Sequence, residues 1–497
     1  MLLEMAGDAM GDRVAVGTRA GGLTYRELLE RSRRVARMLT DAGVERVGLV
    51  DVNSDAVPVL LFASAMAGVP FAPINYRLAD DRLRAVVERI APAVVVADGV
   101  AIERISAVDG LQAIAATALN SSSSALDPIE DAPFDPDAVA IWLFTSGTTG
   151  EPKAALLRHR HLVAYVLSTV EFMGADEAEC TLVSVPPYHI AGMATILSNT
   201  YAGRRIVYLP QFDPKEWVRT AEREAVTHAM VVPTMLGRIL DAMEADRIAL
   251  PALRHLSYGG GRMPVPTIER AMALLPGVAF VNAYGLTETS STIAVLTPDD
   301  HRAAISGDPT AQRRLGSAGQ VLPTIELEVR DADGAAVGPD EPGEIWVRGE
   351  QVSGEYVGLA PRVDADGWFP TRDSGWVDAD GYLFIEGRAD DTIIRGGENI
   401  APAEIEEVIL RHPLVRDCVV VGLPDEEWGQ QIAAVVVAAE GVDVTAESVR
   451  EHVRASLRTS KTPQIIAFDR ELPTTDTGKV LRRVVLARLL DGELQPA

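Results

Sequence analysis

Lysine is nearly missing from this 497-residue chain: of 46 basic residues only Lys153, Lys215, Lys461 and Lys479 are not arginine. A compact ammonium is thus confined to four places, and each is worth following. Cysteine is as scarce. Cys180 and Cys418 lie far apart without a CxxC or His-rich spacing, which excludes a disulfide framework and a zinc site and fits a reducing cytoplasm. Positive charge is short overall, with 71 acidic residues giving a net charge of −25. Such a field repels nucleic acid and anionic membrane surfaces, so a polyanionic ligand must be held by local cations. Aromatic residues are only 5% of the chain, too few for an aromatic pattern to identify a ligand. The N-terminal stretch has acidic residues where a signal peptide has basic ones, so export is not expected. The long uncharged run Ala56 to Tyr76 is broken by Gly68, Pro70 and Pro73 and flanked by Asp51 and Asp55. It reads as a buried helix and strand, not a membrane span.

What is present describes a globular protein of two or more domains, with 47% hydrophobic and 24% charged residues. Thr24 and Glu27 have capping-box spacing, Leu28, Val35 and Leu39 suit one helical face, and Gly43 suits the stop. Apolar runs and helix-like stretches then alternate, predicting an α/β fold of sheets layered with helices. The Ser-, Pro- and Asp-rich stretch Leu119 to Asp137 reads as an aperiodic surface connection. After Gly387 the pattern becomes a compact α+β one, read as a separate small domain.

The strongest chemical signal is Thr145-Ser146-Gly147-Thr148-Thr149-Gly150-Glu151-Pro152-Lys153, set between two apolar runs. Glycines let the backbone approach phosphate oxygens, hydroxyls donate to them, and Lys153 supplies a point charge. The GxxGxxK spacing, with Pro152 before the lysine and no hydroxyl after it, departs from a Walker A loop. Downstream stand Tyr284-Gly285-Leu286-Thr287-Glu288, preceded by Ala283, and the glycine run Tyr258-Gly259-Gly260-Gly261. Others are Pro186-Pro187-Tyr188-His189-Ile190-Ala191-Gly192-Met193, Thr371-Arg372-Asp373, Gly387-Arg388-Ala389-Asp390-Asp391, Arg395-Gly396-Gly397-Glu398 and Thr477-Gly478-Lys479.

Taken in order, these motifs resemble the signatures of the adenylate-forming superfamily, which groups acyl-CoA synthetases, luciferases and the adenylation domains of peptide synthetases; the chain looks like the acyl-CoA ligase branch. The resemblance implies a large N-terminal domain over residues 1–388, a hinge at 389–390 and a small mobile domain over 391–497. It assigns the Thr145 to Lys153 loop to the phosphates, Gly259 to Gly261 and Ala283 to Gly285 to the adenine side, and Thr287 to the α-phosphate. It gives Asp373 the ribose, Arg388 the nucleotide, Glu288 a Mg²⁺ ion, and Asp390 the pivot. Arg395 to Glu398 would line the coenzyme A channel, and Lys461 resembles a third family lysine near the nucleotide or coenzyme A. Tyr188, His189, Met193 and Tyr258 would border the acyl group. Lys479, Glu288, Thr145 and His189 would be the catalytic set.

The implied reaction is attack of a carboxylate on the α-phosphorus of ATP, then transfer of the acyl group from AMP to coenzyme A after the small domain swings. A carrier protein could replace coenzyme A as acceptor. The segment Pro186 to Met193 offers no carboxylate to meet an ammonium, which favours a simple acid over an amino acid. Two positions depart from the family pattern: Ala154 and Arg372 stand where glycine is usual. Arg372 could pair with Asp373, contact phosphate or point to solvent. If it crowds ATP, the enzyme would use a preformed acyl-adenylate, supplied by a separate enzyme.

Overall fold

The computed structural model describes every residue except 130–133, 146–152, 396–397, 440 and 476–479. The predicted first helix spans Tyr25–Ala42. Thr24 caps it, accepting from the Glu27 amide at 3.2 Å while the Glu27 carboxylate accepts from the Thr24 amide at 2.8 Å. Gly43 closes it at φ +60°, and Leu28, Val35 and Leu39 are buried. The uncharged run becomes the helix Ala56–Ala67 and the strand Phe71–Pro73, both packed in the core. Among the described residues no helix is long and apolar enough to cross a membrane.

Two sheets carry the large unit. The seven-stranded sheet runs, in space, Glu355–Tyr356, Lys153–Arg158, Val139–Thr145, Phe71–Pro73, Arg46–Val50, Ala93–Ala97 and Leu111–Ala115. Its last five strands are parallel, and Ala93–Ala97 is buried at every position, as expected of a β-branched run covered on both faces. In the thirteen-stranded sheet, parallel strands Cys180–Val183, His228–Val231, His255–Gly259 and Ala279–Leu286 give way to antiparallel Ser291–Leu296 and Gly319–Val321. The sheet then continues through Tyr382–Arg388 and Phe369–Val377. Ligands of open α/β sheets gather outside the carboxyl ends of parallel strands, and here two such ends carry Gly259–Gly261 and Tyr284–Glu288.

The connection from Leu119 is more structured than its composition predicts. It opens with a short helix, Leu119–Ser123, because Leu119 inserts into the core against the helix Tyr25–Ala42. Beyond residue 390 lies the expected α+β unit: strands Val415–Asp425, Gly429–Ala438 and Ile465–Phe468 with helices Pro402–Leu410, Ala446–Ser456 and Arg482–Leu490. It buries its own apolar clusters, one around Ile405, Val420 and Val436 and one around Val421, Val435 and Val485.

Candidate active site

Two paired strands flank the phosphate-loop segment. Val139–Thr145 and Lys153–Arg158 pair antiparallel, Thr145 opposite Lys153, with the Thr145 hydroxyl donating to the Lys153 carbonyl at 3.3 Å. Ser146, Gly147, Thr148, Thr149 and Gly150 lie outside the described residues, but both ends of their loop are fixed by sheet pairing. Ala154, one of the two departures, is buried opposite Phe144.

Beside this strand pair is the turn Thr287–Thr289, which packs against Lys153–Arg158. Gly285 precedes it at a bulge, and a Cβ there would stand 1.8 Å from the Ser291 carbonyl, so only glycine allows the two backbones to meet. Gly259 is constrained in the same way, by the Ala283 carbonyl of the neighbouring strand at 2.2 Å from its missing Cβ. The turn is closed by the Thr289 hydroxyl, which accepts from the Leu286 amide at 2.9 Å and donates to the Ser291 carbonyl at 2.8 Å. Ser290 and Ser291 follow at φ +55° and +121°, strained conformations for residues with a Cβ.

Asp373 is buried and doubly held. The Tyr284 hydroxyl donates to one oxygen at 2.6 Å and the Arg388 guanidinium approaches the other at 3.1 Å. Burial first, then the Asp373 charge, raises the Tyr284 hydroxyl well above its ordinary pKa, so it remains a donor. Arg388 also donates to the Thr371 carbonyl at 2.9 Å. Arg372 is exposed at φ +61°, while Asp373 beside it is paired with Arg388. This is the solvent-facing placement among the three the sequence leaves open.

Glu288 is held at both ends by the segment 351–356. Its carbonyl accepts from the Ser353 amide at 2.8 Å, and its carboxylate accepts from the Tyr356 hydroxyl. Burial and the neighbouring carboxylate push the Tyr356 pKa upward, so the phenol is the donor. Tyr356 has no sequence signal: its strand is two residues long, too short for periodicity to register.

In the segment Pro186 to Met193, Tyr188 is buried, lying edge-on to Tyr76 at 5.9 Å and tilted against His189 at 4.7 Å. Two other residues that the resemblance puts at the acyl group, Tyr258 and Met193, are more deeply buried than Tyr188. Tyr258 is fully buried in the core with its hydroxyl 2.8 Å from His301 Nε2, because strand alternation turns its side chain away from the face of Gly259. Met193 is likewise fully buried in the apolar cluster beneath the segment.

In the small unit, Arg395 donates to the Ser460 carbonyl at 3.2 Å and lies over Trp428, while Glu398 pairs with Arg458. Gly396, Gly397 and Lys479 lie outside the described residues. The neck of the Lys479 loop is nevertheless visible. Thr474 bridges Val480, the Leu481 amide donates to the Pro473 carbonyl at 2.8 Å, and Arg482 forks onto Glu406. Lys461 is paired with Glu404, and Asp390 is exposed. The helix Pro402–Leu410 packs against Tyr382–Arg388, and Glu407 is ion-paired with Arg262 of the large unit.

Comparison with known proteins fits this geometry. Residues 3–357 match the AMP-binding enzyme model, and residues 404–479 match the AMP-binding enzyme C-terminal domain. A feruloyl-CoA synthase of Amycolatopsis sp. is 35% identical over 95% of this chain and 96% of its own length. The o-succinylbenzoate CoA synthetase of Bacillus subtilis, solved with its acyl-adenylate intermediate, superposes with a TM-score of 0.84 at 28% identity, over 97% of each chain. ATP-bound MatB from Rhodopseudomonas palustris gives a TM-score of 0.88 at 27% identity, over 99% of each. The Thr145–Lys153 strand pair, the Tyr284–Asp373–Arg388 cluster and the clamped Glu288 therefore belong to a member of the AMP-binding enzyme family, in the acyl-CoA ligase branch of the adenylate-forming superfamily.

Proposed function

We propose that this chain joins an aromatic carboxylic acid to coenzyme A through an acyl-adenylate, at the expense of ATP. The observation that carries adenylation is the buried Asp373, held by Arg388 and by Tyr284, whose strand runs directly into the Glu288 turn that packs against Lys153–Arg158. An aromatic acid is supported by the corner of Tyr76, Tyr188 and His189 and by relatives named for feruloyl and o-succinylbenzoyl groups.

On this reading Asp373 receives the ribose hydroxyls, Tyr284 lies along the adenine, and Lys153 with its loop neutralises the phosphates. The residues present also fit a magnesium ion. Glu288 offers one oriented carboxylate, and no group of three or more His, Cys, Asp or Glu could hold a metal alone among the described residues. Mg²⁺ takes one or two carboxylates together with phosphate oxygens, and when bound it offsets charge on the leaving pyrophosphate. Lys479 supplies a second cation at the α-phosphate, and positioning carries the rest of the step. The working division is a large domain over 1–388, a hinge at 389–390 and a small domain over 391–497. Rotation of the small domain exchanges Lys479 for the Arg395–Glu398 segment before thiolate attack. We place the reaction in the cytoplasm.

The test offers a panel of aromatic and aliphatic acids with ATP and coenzyme A, and the matching synthetic acyl-AMP with coenzyme A, reading thioester mass. Thioester from both arms with aromatic acids is expected. Thioester from acyl-AMP alone would remove adenylation, and preference for aliphatic acids would remove the aromatic assignment.

A further inference from the structure

The segment 351–356 touches two parts of the active site that are remote in sequence. On one side it grips the turn that presents Glu288. The Gln351 side-chain amide donates to the Thr289 and Thr292 carbonyls at 2.9 and 2.8 Å, the Ser353 amide to the Glu288 carbonyl, and the Tyr356 hydroxyl to the Glu288 carboxylate. On the other side it is the edge strand beside the phosphate-loop strands. Glu355 and Tyr356 pair with Leu156 and Ala155, and the Val357 amide donates to the Ala154 carbonyl at 3.0 Å. The Glu355 carboxylate forks onto Arg158 at 2.8 and 2.6 Å.

A glutamate on a short turn has several rotamers, and ordering one of them costs entropy that binding must otherwise supply. Here one oxygen of the carboxylate is already engaged by a phenol. The backbone strain at Ser290 and Ser291 is retained by the same grip, since Gln351 binds the carbonyls on either side of them. We propose that the 351–356 segment is a strap fixing the metal-holding glutamate relative to the phosphate-loop strands, with Tyr356 as the positioning residue that orients Glu288.

This inference rests on the adenylation reading but is tested without acid or coenzyme A. Calorimetry on the full chain measures affinity for AMP, for ATP without divalent ion, and for ATP across a Mg²⁺ titration. In Tyr356→Phe, AMP affinity is expected to stay within about twofold of wild type, ATP affinity at limiting Mg²⁺ to fall about tenfold, and the Mg²⁺ midpoint to rise. Glu288→Gln should abolish the Mg²⁺ dependence, and adding Tyr356→Phe to it should change nothing further. Tyr356→His, which keeps a ring donor, should recover part of the loss and serves also if the phenylalanine variant does not fold. A Tyr356→Phe titration that superimposes on wild type, an equal loss of AMP and ATP affinity, or no recovery by histidine overturns the proposal. A wild type that binds ATP with Mg²⁺ but forms no thioester overturns the function and leaves this test standing.

Discussion

Arg372 occupies left-handed backbone at φ +61°, a conformation that glycine adopts freely and that costs an arginine about 1 kcal/mol. Arg372→Gly should therefore raise the unfolding free energy by up to about 1 kcal/mol, the gain being reduced by the freer unfolded chain. Denaturant unfolding checks this, and a loss of stability would mean that the exposed guanidinium makes a contact worth more than the strain. Asp417 carries a second prediction. Burial, reinforced by the Glu406 charge, pushes its pKa from 3.8 to about 6. The folded state therefore binds the proton more tightly than the unfolded chain, and this contribution is full below pH 4 and lost as pH rises through 6. Asp417→Asn should stabilise the protein at pH 7 by on the order of 1 kcal/mol, discounted because the side chain keeps some solvent contact, and by little at pH 4. Melting curves at the two pH values decide; equal shifts at both would sink the linkage. At this scale sequence legibility is uneven. Tyr284 and Asp373 sit in motifs with fixed spacing, and the structure joins them by a hydrogen bond. Tyr356 and Glu355 sit in no motif, and their partners are 68 and 197 residues away, a separation that no local pattern encodes.

Among elements, the predictable ones are those whose reason is local. The helix Tyr25–Ala42 is written in its cap, its face and its terminal glycine, and the strand Ala93–Ala97 in its β-branched run. The helix Leu119–Ser123 is not, because its one buried leucine acquires meaning only against a helix about 80 residues earlier in the chain. Tyr258 and Met193 show the same limit from the other side: a motif gives the position of a residue along the chain, while strand and helix geometry decide which face its side chain takes.

Across the whole molecule, the helix Pro402–Leu410 packs on the strand Tyr382–Arg388, and among the described residues an ion pair joins the two units. Arg262 pairs with Glu407, and near it Glu386 is half-buried close to Glu404, its pKa raised first by burial and then by that like charge. A part-exposed ion pair of this kind contributes about 0.5 kcal/mol, roughly twofold in a two-state equilibrium. Arg262→Ala should accordingly move the rates of the two half-reactions in opposite directions by about twofold, measured as pyrophosphate release and as thioester formation from supplied acyl-AMP. Unchanged rates for both would mean that the pair is not made in a state visited during turnover. The α/β class and the small C-terminal unit were legible from the alternation of apolar and helix-like stretches, and the family from the ordered motifs. The grip of one unit on the other was not, since Arg262 and Glu407 belong to none of those motifs.

The edge position of Glu355–Tyr356 also bears on how the chain is made. Six strands of the seven-stranded sheet are complete once Arg158 has been synthesised, yet the seventh arrives 197 residues later, just before the family match to the large unit ends at residue 357. Until then a nascent chain holds an open β-edge along Lys153–Arg158, with Arg158 lacking its carboxylate partner. A fragment cut short of Glu355 keeps that edge open, so the last strand of this sheet to be translated is the one that covers Lys153–Arg158.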